Sequence, residues 1–99
     1  MSFFSSLITP TTAPQLIMTN KSGISRVTQI QIAVRSMGTS SFSAIGGVDE
    51  QSRRLTAVGD NIGMDTPQGK RYLDISKLFI VSDTADAVIE IIGDTYDGP

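Results

Sequence analysis

The side chains available for chemistry in this chain are carboxylates, hydroxyls and a few basic groups. There is no cysteine and no histidine among the 99 residues. Disulfides and thiolate metal sites are therefore excluded, and so are the commonest general base and the usual nucleophile pairs. The acids offer little in exchange. Asp83 and Asp86 flank a turn, while Asp94 and Asp97 follow the last apolar run. Their spacing matches no calcium loop, which must supply six to eight oxygens. Two carboxylates can hydrolyse a glycoside when burial raises one of them, but only Glu90 lies within a strongly apolar segment. It is expected to face outward or to pair with a base. Gly46-Gly47 and Gly59-x-x-x-Gly63 are not followed by the Gly-Lys-Ser/Thr of a phosphate loop. The expectation is a protein without enzymatic activity, catalytic residues, cofactor or metal.

The basic pairs Arg53-Arg54 and Lys70-Arg71 suit an acidic protein neighbour, or else stand simply solvated. Charge is uneven along the chain. Residues 1–48 carry Lys21, Arg26 and Arg35 and no acid, whereas residues 49–99 carry five bases and ten acids. From Asp83 to the end there are five acids and no base. Such a segment repels phosphates, so nucleic acid is not an expected partner. No run approaches the roughly 20 apolar residues of a membrane helix, and the first 20 residues lack the basic start of a secretory signal.

The elements that would position these groups read as strands. Val27–Val34 alternates, with Ile30, Ile32 and Val34 on one face and Gln29, Gln31 and Ala33 on the other. Ser41–Ile45 is a second short strand that ends at Gly46-Gly47. Residues 48–71 read as a long polar loop with turn signals at Gly59-Asp60-Asn61, Gly63, Pro67 and Gly69, and room for a short strand over Arg53–Val58. Tyr72–Ile75, Lys77–Val81 and Ala87–Ile92 follow, the middle one dense enough for a strand covered on both faces. Gly93 onward reads as a polar tail. No segment has sustained helical periodicity; a single helical turn fits only near Asp83–Ala87. The fold class is all-β: a small antiparallel β-sandwich or barrel over residues 24–99 with an extended N-terminal arm over residues 1–23.

That arm is uncharged up to Asn20, and Pro10 and Pro14 hold the residues before them out of helix. It contains Phe3, Phe4, Leu7, Ile8, Leu16, Ile17 and Met18, too many large apolar groups for a solvated tail. Either it packs on its own domain as a first strand, through Gln15–Thr19, or it leaves the domain and buries Phe3, Phe4, Leu7 and Ile8 against a neighbouring subunit, adding a strand there. Phe3, Phe4, Leu7, Ile8, Arg53, Arg54, Lys70 and Arg71 are the candidate partner-binding residues.

From Ile30 to Ile92 the order of segments resembles that of small structural proteins of tailed bacteriophages. The Ile30-x-Ile32-x-Val34 strand is followed by Ala44-Ile45-Gly46-Gly47, a polar loop, Leu73-Asp74, the Leu78–Val81 run and the Ala85–Ile92 strand. The resemblance implies a capsid decoration or cement protein made in the host cytoplasm. Such a protein sits on the capsid surface, binds the major capsid protein or other virion subunits, and is often a homo-oligomer, a trimer among the possibilities. A tail or head–tail accessory protein is the first alternative. A carbohydrate-binding sandwich is the second, with Tyr72 and Tyr96 as the rings that would stack on sugar.

Overall fold

The computed structural model describes residues 2–21, 23–47 and 49–98. Met1 and Ser22 of the expected arm, Val48 at the start of the expected loop, and Pro99 lie outside them. Among the described residues are nine strands: β1 (Phe3–Ile8), β2 (Gln15–Leu16), β3 (Arg26–Ser36), β4 (Ser43–Gly46), β5 (Gln51–Leu55), β6 (Asn61–Asp65), β7 (Leu73–Asp74), β8 (Phe79–Ser82) and β9 (Val88–Thr95). A single 3-10 turn spans Thr19–Lys21. The strands form two antiparallel sheets. One has the order β1-β9-β3-β6, with β7 also pairing with β3; the other has the order β2-β8-β4-β5. The chain is all-β, with one hydrophobic cluster drawn from both sheets.

The alternation of β3 and β9 builds that cluster. Antiparallel partners share a face, so the first sheet presents rows to the core. Phe4, Gly93, Ile30 and Met64 form one row, and Ser6, Ile91, Ile32 and Ile62 the next. Ile8, Ile89 and Val34 form the third. Ile45, Leu55 and Ile80 of the second sheet are buried in the same cluster. Val27 is also fully buried although it stands three residues from Ile30. A break in the β3–β9 register between Val27 and Gln29 adds one residue and restores the inward direction.

Four sequence expectations change. The segment read as an arm runs in the chain's own sheet: Phe3–Ile8 pairs with β9 from Phe3↔Asp94 to Ile8↔Ile89. An intramolecular first strand was one of the two readings, but it forms here rather than over Gln15–Thr19, where only Gln15 and Leu16 pair, with β8. The long polar loop contains the two edge strands β5 and β6, one in each sheet. Their alternation is hidden because an edge strand is wet along most of its length: β5 buries only Leu55 and β6 only Ile62. The polar tail is also part of the sheet, since β9 continues through Gly93 to Thr95. Residues 83–87 form bends and turns with no helical turn.

Gly93 allows this central crossing. A Cβ there would stand 2.3 Å from the Gln29 carbonyl oxygen and 3.2 Å from the Phe4 ring. Gly93→Ala should therefore destabilise the protein by about 1–3 kcal/mol, the range for overpacked cores. Urea denaturation checks this; an unchanged midpoint would show that the crossing has slack.

Candidate functional site

Strand pairing decides which groups of β1 are available. In an antiparallel pair, hydrogen-bonded and non-bonded residue pairs alternate. The Thr95 N–H donates to the Ser2 carbonyl at 2.8 Å, so Ser2 belongs to the bonded set. Phe4, Ser6 and Ile8 follow it and turn their N–H and C=O toward β9. Phe3, Ser5 and Leu7 turn theirs away, beyond the edge of the sheet. The Asn20 side chain agrees with this parity: its Nδ2 donates to the Leu7 carbonyl at 2.7 Å, closing that end of the edge. Among the described residues, nothing pairs with the outward N–H and C=O groups of Phe3 and Ser5.

The side chains obey the same alternation. Phe4 and Ile8 are 6% and 3% exposed and belong to the core, whereas Phe3 and Leu7 are 71% and 55% exposed. Of the four apolar groups expected to anchor a neighbouring subunit, Phe4 and Ile8 are thus spent inside their own domain. Phe3 and Leu7 remain on the outer face. Ile92 lies half-buried between their rows, opposite Ser5. A shallow cleft lined by Phe3, Gln29, Gln31, Ile92, Gly93 and Asp94 runs beside the strand.

The other sheet edges are guarded. β2 has two residues. β5 exposes Ser52, Arg53 and Arg54, and β6 exposes Asn61, Gly63 and Asp65. Short length and charge are the usual defences of an edge against foreign strands. β1 is six residues long and bears no charge and no proline.

The predicted basic pairs are not brought into one site. Arg53 and Arg54 lie on β5 of the second sheet, and the Arg54 guanidinium stacks over the Phe42 ring at 4.2 Å. Lys70 and Arg71 sit between β6 and β7, lining a cleft with Pro67, Gly69, Tyr72 and Asp74. Tyr72 and Tyr96 pack on each other at 5.2 Å between centroids, and the Arg26 guanidinium lies over both rings at 5.3 and 5.8 Å. They contact each other and Arg26, a grouping the sequence did not announce because its members come from three distant segments.

A hydroxyl and carboxylate network, also missed in the sequence, ties the loop after β3 to the loop before β9. Asp86 accepts from the Thr39 hydroxyl at 2.7 Å and from the Thr39 N–H at 2.9 Å. It also accepts from the Thr84 hydroxyl. Ser40 links Thr84 to Ser82, which bonds Ser43 at 3.1 Å in the buried interior. Asp83 accepts from the backbone N–H groups of Ser41 and Phe42. The Thr84 hydroxyl, then those of Thr39, hold Asp86 down at about 2. Hydrogen bonds from the Ser41 backbone lower Asp83, and those from Ser76 lower Asp74. No three metal-ligating side chains cluster among the described residues. Glu90 faces outward and pairs with Arg35 at 3.0 Å. Gly38, at φ +57°, makes the turn possible: a Cβ there would meet Asp86 Cγ at 2.6 Å.

Compared with models of protein families, with curated proteins and with solved structures, the chain matches none.

The Asp86 contacts favour its charged form, so their stabilising effect is fully present above the ordinary carboxylate value of 3.8 and is lost as pH falls toward about 2. Asp86→Asn should lower the melting temperature at neutral pH and flatten the loss of stability between those two values. Parallel melting curves for both proteins across that interval would show that the carboxylate charge contributes nothing.

Proposed function

We propose that this chain is a non-enzymatic structural protein of a virus particle that attaches to the major capsid protein or another virion subunit, decorating and stabilising the capsid surface. The observation that carries this reading is the uncharged edge of β1, where backbone groups of Phe3 and Ser5 with no partner among the described residues stand beside the exposed side chains of Phe3 and Leu7. An edge of this kind adds a strand from another polypeptide. Main-chain hydrogen bonds supply affinity, and alternate side chains supply selection. Phe3 and Leu7 would each contribute about 1.5–3 kcal/mol if fully buried on docking. Repetition over a lattice multiplies weak contacts by avidity. The order of segments from Ile30 to Ile92 supports the placement on a phage particle.

The mechanism differs from an arm that swings out. β1 stays in its own sheet and offers its free side, so deleting it would test folding rather than docking. Phe3→Lys with Leu7→Lys leaves the core and the β9 pairing intact and places charge on the edge. In co-sedimentation with purified virus particles, the wild-type chain should pellet with the particles and the double variant should bind at least about tenfold more weakly. Wild-type protein that stays in the supernatant, or a folded double variant that binds as well as wild type, would overturn the proposal.

A further inference from the structure

We infer that the strand seated on the β1 edge is β1 of a second copy, related by a two-fold axis at Phe4. The inference rests on the reading above that this edge is where the chain meets other protein, and it names what covers the edge while the chain is free of the particle. Two uncharged strands of like sequence pair without electrostatic penalty, and Phe3–Ile8 bears no charge. Isologous pairing also requires a register in which the free groups of one copy match those of the other.

Only one such register fits the groups described. With Phe4 at the axis, Phe3 pairs with the second copy's Ser5 and Ser5 with its Phe3. Every outward N–H and C=O of these two residues is then satisfied, in four hydrogen bonds. An axis at Ser5 would set Phe3 against the other copy's Leu7, whose carbonyl is already held by Asn20. An axis at Phe3 would leave a single bonded pair among the described residues.

The side chains fit the same register. On the outer face, each Phe3 comes to lie over Ser5 of the other copy, flanked diagonally by its Phe3 and Leu7. The two most exposed large apolar groups of the strand are covered together. On the inner face, Phe4 meets its counterpart as a directly opposed non-bonded pair, the closest cross-strand arrangement. The first sheets of both copies merge into one, with the order β6-β3-β9-β1-β1-β9-β3-β6. The contact is small, so association is expected to be weak, with a Kd on the order of 10 µM to 1 mM.

The test uses the intact chain alone. In analytical ultracentrifugation, monomer should give way to dimer as concentration rises toward about 1 mM. Over the same range, NMR hydrogen exchange should slow at the Phe3 and Ser5 amides. Ser5→Pro removes an N–H that bonds nothing among the described residues. It should keep the fold by circular dichroism and weaken the dimer at least about tenfold, since proline is tolerated on a free edge yet cannot pair. A wild-type chain that stays monomeric at that concentration, or whose Phe3 and Ser5 amides exchange at one rate throughout, overturns the inference. If such a monomer still binds particles through Phe3 and Leu7, the structural reading stands without it. A dimer that binds no particle has the reverse meaning.

Discussion

β9 is paired on both sides, and the rest of the molecule is arranged around that fact. Its odd-numbered residues bond to β1 and its even-numbered ones to β3, so it has no free backbone to offer. Its side chains alternate without interruption: Ile89, Ile91 and Gly93 face inward, and Glu90, Ile92 and Asp94 face outward. A one-residue slip would turn Ile89 and Ile91 to the solvent. The register on β9 therefore decides the direction of each residue in β1 and β3, and with it which parts of the first sheet are core and which are surface.

The segments that were legible in the sequence are those with one wet face and one dry one. Ile30, Ile32 and Val34 announce β3 because glutamines and alanine separate them. β1 was harder to read. Its large side chains come as adjacent pairs, Phe3-Phe4 and Leu7-Ile8, and one member of each pair faces in while the other faces out. Nothing local says which, since parity is inherited from a partner more than eighty residues away. The segment was readable as apolar and uncharged, and so as a candidate for contact; that half of its anchors serve the domain itself was not. β6 escaped, and the strand at Arg53–Val58 was placed two residues late of β5, for the opposite reason. An edge strand that buries one residue in five carries no alternation to detect.

The acidic run after Asp83 has a different character in the fold than in the sequence. Asp83 and Asp86 hold loop amides and hydroxyls, and Glu90 pairs with Arg35. Asp94 accepts from the Gln29 side chain at 2.7 Å. These carboxylates stitch the end of the chain to its first half, where acids are absent. The uneven charge of the two halves becomes a matter of internal pairing as much as of surface potential.

Pairing the first strand with the last also sets a delay during synthesis. Residues 3–8 leave the ribosome long before residues 89–94 are made. At about 5–20 residues per second the wait is several seconds. Throughout it Phe3, Phe4, Leu7 and Ile8 have no sheet to join, and contacts of such sequence separation close slowly in any case. Nascent chains on one messenger would hold identical uncharged strands near one another. How crowded the translating ribosomes are therefore bears on how much of this protein reaches its folded state.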